Sequence, residues 1–211
     1  SSGVIHNPPR TSPPIIGVTG AIGSGKSTVT KLFSEWGATT ISADEIGHRV
    51  LAHSRIVRHQ LISAFGDVIL ASGTIDRAVL ARKALASTSR VLTLNRIVHP
   101  ALIQGINRAI SKAAREPSTR AVVVDAALLV EWGIGRIHWD CLVGVSAPYH
   151  ARIQRLRDRG LTLPQIRQFS NAQMPWQKKR LYCDFIVKND ASRATLRRRA
   201  RLCWDKMLSS K

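Results

Sequence analysis

The sequence predicts an α/β fold: a five-stranded parallel sheet flanked by helices, with a helical insertion after the second strand and a short helical lid further on. Three observations lead there. The segment Gly20-Ala21-Ile22-Gly23-Ser24-Gly25-Lys26-Ser27-Thr28 fits G-x-x-x-x-G-K-[ST] at every fixed position, between an apolar β-branched run and a run with helical spacing. Four further short runs read as strands: Ala38–Ile41, Ala121–Asp125, Cys141–Val145 and Phe185–Val187. Residues 53–116 keep apolar positions at helical spacing, with no lasting strand alternation.

In chain order, Ile15 to Thr19 is the first strand and Lys26 to Trp36 the first helix, with Val29, Leu32, Phe33 and Trp36 on its apolar face and Gly37 as its left-handed stop. Between them, glycines let the loop fold into a nest whose backbone N–H groups converge on phosphate oxygens, aided by the helix dipole. This is the context of a P-loop NTPase fold, and the ligand it implies is a nucleoside triphosphate with Mg²⁺. Lys26 would reach the β- and γ-phosphates and the Ser27 hydroxyl would bind the metal.

After the second strand, Ser42 with Glu45 has capping-box spacing for a helix running through Ile46 and Val50. Asp44 then falls at the C-terminal edge of the sheet, beside the phosphate loop. It either takes the proton of an attacking hydroxyl or helps to hold the metal, or it simply favours the helix dipole from the first turn; position alone leaves these readings open. In the helical stretch that follows, His99-Pro100 reads as a junction between two helices, since Pro suits a first turn.

Ala121–Asp125 has the shape of a buried strand whose terminal carboxylate holds Mg²⁺, so Ser27 and Asp125 form the expected metal pair. Leu128, Leu129 and Glu131 open a further helix. Pro148 is placed for the first turn of a helix that carries Arg152, Arg155, Arg157 and Arg159, and Thr162 with Gln165 caps the next. Arginines on a helical hairpin can close over a triphosphate as the γ-phosphoryl moves; the plainer reading is a solvated basic face. Residues from Ser192 onward form a terminal helix with Leu196, Leu202 and Met207 inward.

The domain expectations are an N-terminal extension over 1–14, disordered and rich in Ser and Pro, and a nucleotide-binding core from 15–52, 117–148 and 183–211. A helical acceptor subdomain spans 53–116 and a lid 149–182. No run is apolar for the roughly 18 residues that a membrane span needs, and the first fourteen residues lack the apolar stretch of a signal peptide. Cys141, Cys183 and Cys203 lack metal or disulfide spacing and read as buried thiols of a reducing, cytoplasmic compartment. The net charge is +19, and Ala151 to Lys211 holds sixteen Lys or Arg against four Asp or Glu, a local +12. Such a surplus attracts polyanions. For Arg197-Arg198-Arg199-Ala200-Arg201 the favoured reading is a solvated face.

These residues together resemble one family, the dephospho-coenzyme A kinases. The motifs that carry the resemblance are the loop from Thr19 to Ser27, Ala43-Asp44, Phe65-Gly66, Gly73-Thr74-Ile75-Asp76-Arg77, His99-Pro100, Leu128-Leu129-Val130-Glu131, Gln173 and Asn189, in that order and spacing. The resemblance implies transfer of the γ-phosphoryl of ATP to the ribose 3′-hydroxyl of dephospho-coenzyme A. It makes Asp44 the catalytic base, acting with Lys26, Arg155 and Arg159. It places ATP on Gly20 to Thr28 with Arg155, Arg159 and Asn189. The acceptor goes beside Asp44, Phe65, Asp76, Arg77, His99, Leu128, Leu129 and Glu131, and Lys179 is a further lid candidate. The sequence departs from the family at Ser42 (usually Asp), Ala64 (usually His), Ala127 (usually Pro) and Asp190 (usually Gly or Asn), of which Ala64 and Ala127 touch the acceptor side. The expected partners are ATP and dephospho-CoA, with no membrane and no obligatory nucleic acid, in a monomer or small homo-oligomer. Two rivals share the loop: a kinase of the same fold with another hydroxyl acceptor, and a nucleic-acid-binding protein that uses the Arg-rich C-terminal segment.

Overall fold

A computed structural model describes residues 12–209. The N-terminal extension expected over residues 1–14 therefore falls almost wholly outside the described residues.

The chain runs β1 (Ile15–Gly20), α1 (Lys26–Glu35), β2 (Ala38–Ser42), α2 (Ala43–His53) and α3 (Arg55–Phe65), then a 3₁₀ turn (Asp67–Ile69). Next come β3 (Leu70–Ala71), β4 (Thr74–Ile75), α4 (Arg77–Ala84) and α5 (Thr88–Ala113). β5 (Ala121–Asp125), α6 (Leu129–Gly133), β6 (Cys141–Ser146), α7 (Tyr149–Asp158) and α8 (Leu163–Asn171) follow. α9 (Trp176–Lys179), β7 (Phe185–Lys188) and α10 (Arg193–Ser209) complete it.

The main sheet is parallel throughout, in the order β2-β5-β1-β6-β7. All five predicted strands are in it. β1 lies at its centre and is buried from Ile16 on, which explains its continuous apolar run. β2 does not adjoin β1: β5 lies between them, with Asp125 in register with Val18 on one side and Ser42 on the other. Asp125, rather than Asp44, thus ends the strand next to the phosphate loop.

Helices cover both faces. On one, Phe33 of α1 and Trp204 of α10 stack at 5.4 Å over Ile16, Val18, Val123 and Val143. On the other, Ile106 and Ile110 of α5 and Leu129 and Trp132 of α6 close over Val122, Val124 and Leu142. A third apolar cluster lies off the sheet, where Val57, Leu61 and Phe65 of α3 meet Ile69, Leu80 and Ala84.

Several details of the insertion and its flanks depart from the sequence reading. α5 is one helix of 26 residues with Pro100 inside it, not two helices meeting at His99-Pro100. Its first half packs Leu94, Ile97, Val98 and Ala101 into the third cluster, and its second half packs Leu102 to Ala113 into the sheet face. Contacts on both sides of Pro100 hold the helix together across the one missing N–H. A two-stranded antiparallel hairpin, β3–β4, interrupts the stretch read as largely helical. Pro148 is the N-cap of α7 rather than a residue of its first turn. At α2 only half of the predicted box forms: Ser42 Oγ accepts from Glu45 N at 3.2 Å. The predicted box at α8 is complete, with Thr162 and Gln165 exchanging both bonds.

The basic C-terminal run is largely engaged. Arg197 pairs with Glu35, Arg199 with Asp190 and Arg201 with Asp205, while Arg197 and Arg201 both lie over the Trp36 ring. Of the cysteines only Cys203 is buried; Cys141 and Cys183 are half-buried, correcting the expectation of three buried thiols. Among the described residues no helix is long and apolar enough to cross a membrane.

Candidate active site

The phosphate loop takes its shape from its glycines. Gly25 is left-handed at φ 90°, directly before the first residue of α1, and a side chain there would strike Asn189 Nδ2. Gly23, at φ 78°, lies so close to α7 that an added Cβ would come within 2.8 Å of the Arg152 carbonyl. The loop is also held from outside. Arg155 donates to Gly23 O at 2.9 Å, Arg152 to Ile22 O at 3.3 Å, and buried Asn189 to Ser24 O at 3.0 Å. With these carbonyls engaged outward and Ser24 N donating to Ala21 O at 3.0 Å, the other loop N–H groups are left to serve a ligand. Ser24 Oγ is buried within the loop without a hydrogen-bond partner.

The loop forms one side of a cleft of about 600 Å³. Residues Ala21 to Ser27 line it, and Asp125 joins them at its floor. Lys26 Nζ makes an ion pair with Asp125 Oδ1, and Thr30 Oγ1 donates to Asp125 Oδ2 at 3.3 Å. Ser42 at the end of β2 lines the cleft as well, with Asp44, Gly47 and His48 of α2 and one face of α5 that presents Val91, Leu94, Asn95, Val98, His99 and Leu102. Leu128 and Trp132 also line it, as do Arg159, Leu161, Phe169 and Gln173 of the α7–α8 hairpin and its return. Asp44 is thus both in the first turn of α2 and on the cleft wall, so the two readings of it are compatible.

Not every predicted residue reaches this cleft. Phe65 is buried in the third cluster, Arg77 is exposed, and Asp76 caps α4, accepting from Ala78 N and Val79 N. Leu129 is fully buried in the sheet-face core. Glu131 turns to Lys179, with Nζ to Oε2 at 2.8 Å. Lys179, a lid candidate, is completely buried and also donates to Ala127 O at 2.8 Å. Gly20 and Thr28 flank the loop without lining the cleft, and Arg155 and Asn189 brace the loop instead of lining it. Asp190, one of the departures, holds Arg199.

His48 and Asn95 were missed, although a signal existed. His48 follows Asp44 by four residues and Asn95 precedes His99 by four, so each shares a helical face with a residue that was singled out. His99 lies against the Trp132 ring, centroids 4.8 Å apart. Burial first, and then the positive charge of Arg136, pull its pKa down from 6.5 to about 4. The ring is therefore neutral at ordinary pH.

The donor set can be tested against a magnesium ion. Mg²⁺ on a nucleotide takes one or two protein oxygens and completes its shell with phosphate and water. The cleft offers that: the Ser27 hydroxyl and the Asp125 carboxylate. No cluster of three or more His, Cys, Asp or Glu able to hold a metal by itself occurs among the described residues.

A parallel sheet with the phosphate loop at its centre, facing a second wall that carries a carboxylate, defines a P-loop kinase. The family profile described as dephospho-CoA kinase matches residues 14–195. Dephospho-CoA kinase of Corynebacterium diphtheriae is 37% identical over 194 residues, covering 91% of this chain and 96% of the relative. A Thermus thermophilus protein of known crystal structure superposes with a TM-score of 0.73 at 29% identity, over 94% of this chain and 99% of that one. The solved dephospho-CoA kinase from Campylobacter jejuni shares the fold, with a TM-score of 0.64 at 23% identity over 92% and 96% of the two chains. The chain belongs to the dephospho-CoA kinase family and is an ATP-dependent phosphotransferase.

Proposed function

We propose that this chain transfers the γ-phosphoryl of ATP to the 3′-hydroxyl of the ribose of dephospho-CoA, giving coenzyme A and ADP, with the reacting groups meeting in the cleft between the phosphate loop and α2. One observation carries the assignment of roles: Lys26 of α1 and Asp44 of α2 line the same cleft, so a phosphoryl donor on the loop and a hydroxyl acceptor beside Asp44 share one space. The loop N–H groups and Lys26 bind the triphosphate, and Asp44 takes the proton of the attacking hydroxyl. Arg159, on the cleft wall at the end of α7, meets the charge that develops on the transferred group. Arg155 contributes by fixing Gly23. The neutral ring of His99 and the apolar side chains of α5 receive the acceptor. Ser27 and Asp125 would hold Mg²⁺, which when bound neutralises charge on the outer phosphates. In this reading 15–52, 117–148 and 183–211 serve the nucleotide, 53–116 the acceptor and 149–182 the closure. The lack of disulfide or metal spacing among Cys141, Cys183 and Cys203 supports a reducing, cytoplasmic setting.

The test is ADP release from Mg²⁺-ATP, measured with and without dephospho-CoA, with the mass of the product recorded. The expected result is release that depends on the acceptor and a product heavier by one phosphoryl group. Nucleotide binding without acceptor-dependent release would overturn the acceptor, and a panel of nucleosides and small hydroxyl compounds would then find the right one. The Asp44→Asn enzyme should bind ATP as before and lose about 10²- to 10⁴-fold in kcat. Retained turnover would reduce Asp44 to its place in the helix turn.

A further inference from the structure

Among the described residues, Lys179 alone joins a formal charge to complete burial. A buried ammonium is tolerated only where it is paired and hydrogen-bonded, and here it has a carboxylate and a carbonyl. Nζ bonds Ala127 O and Glu131 Oε2, each at 2.8 Å. Both acceptors are shared. Ala127 O also takes the Thr19 hydroxyl at 3.0 Å, and Glu131 Oε2 also takes Met174 N at 3.2 Å. One side chain thus fastens three segments. Thr19 is in β1, next to the start of the phosphate loop; Ala127 precedes Leu128 on the cleft wall; Met174 follows Gln173, which lines the cleft from the return of the α7–α8 hairpin.

We propose that Lys179 is a positioning residue that sets the spacing of two cleft walls, the 126–128 segment and the 172–174 return, relative to the strand that enters the phosphate loop, and so fixes where the acceptor sits. The inference rests on the acceptor entering this cleft, as argued above. It assigns Glu131 a place behind the acceptor wall, in the same network. Burial pulls the Lys179 pKa below the usual lysine range, and the charge and hydrogen bond of Glu131 offset part of that fall. Nearby Lys26 repels it, so Lys179 also bears on the charge near the phosphate loop, and the experiment must separate the two effects.

Removing Lys179 alone would strand the Glu131 carboxylate in the interior, where loss of fold would hide any effect on catalysis. The informative protein is the double variant Lys179→Met with Glu131→Gln, which removes both charges and keeps the shapes. It should melt cooperatively and bind an ATP analogue with wild-type affinity. Its KM for dephospho-CoA should rise about tenfold or more with kcat less affected, and the amides of 126–128 and 172–174 should exchange faster with deuterium. An unchanged acceptor KM in the folded double variant would overturn the proposal. So would weaker nucleotide binding with an unchanged acceptor KM, since the charge would then be acting on phosphates. If wild-type enzyme ignores dephospho-CoA, the acceptor assignment fails separately. The exchange measurement, made without substrate, still decides the brace: unchanged exchange in those two segments sinks it.

Discussion

His99 shows how a single residue on the cleft wall links the acceptor site to stability. Its folded pKa is about 4 against an ordinary 6.5, because burial penalises the imidazolium and Arg136 repels it. The sign follows from proton uptake. Between pH 6.5 and about 4 the unfolded chain binds a proton at this position and the folded chain does not, so acidification through that window favours unfolding. Above the window His99 contributes no slope. The melting temperature should fall as pH drops from 6.5 toward 4, and His99→Gln should remove part of that fall while raising the acceptor KM. A variant whose melting temperature follows the wild-type pH profile would show that other groups carry the acid sensitivity.

At the scale of elements, α7 braces the phosphate loop through two arginines, while Arg159 at its end lines the cleft. Arg155 and Arg152 donate to successive loop carbonyls, Gly23 O and Ile22 O, which keeps the backbone amides turned toward the ligand. Arg155→Ala should therefore weaken ATP binding about 10- to 100-fold, the scale of one hydrogen bond from a charged donor. Titration with a fluorescent ATP analogue measures this, and unchanged affinity would show that the glycines alone shape the loop. That Arg152 and Arg155 share a basic helix that follows a strand was legible in the sequence. Their partners were not, because a carbonyl that a helix will meet leaves no mark in sequence. The β3–β4 hairpin escaped notice for a related reason: two residues per strand are too few to show alternation. Pro100 signalled a helix end, yet the signal marks the changeover between two cores that one helix serves. The burial of Lys179 was not legible, since lysine is seldom fully buried and only the fold brings Glu131 and Ala127 O to it.

In the molecule as a whole, the three apolar clusters separate what the sequence reading grouped by function. Two of them sandwich the sheet and support the phosphate loop; the third, built on α3, α4 and the first half of α5, supports the insertion. Strand runs and the loop pattern made the sheet readable, because buried parallel strands are continuous apolar runs. Strand order was not readable, since β5 enters between β1 and β2 only after the whole insertion has been traversed. The division predicts that damage to one cluster reaches the two substrates unequally. Leu61 is completely buried in the third cluster and Trp204 completely buried in the first. Leu61→Ala should cost about 2–5 kcal/mol and Trp204→Ala about 3–5 kcal/mol, so the two are comparable in the energy removed. Their consequences should differ. The Leu61 variant should open the insertion locally, with faster deuterium exchange over 55–84 and a higher acceptor KM, while ATP binding and the exchange of β1 and β5 stay near wild type. The Trp204 variant should lower the global melting transition and weaken both substrates together, because α10 and α1 share that cluster beneath the phosphate loop. Equal effects of Leu61→Ala on ATP and acceptor would mean that α5 transmits the loss across Pro100, and that the molecule unfolds as a single cooperative unit.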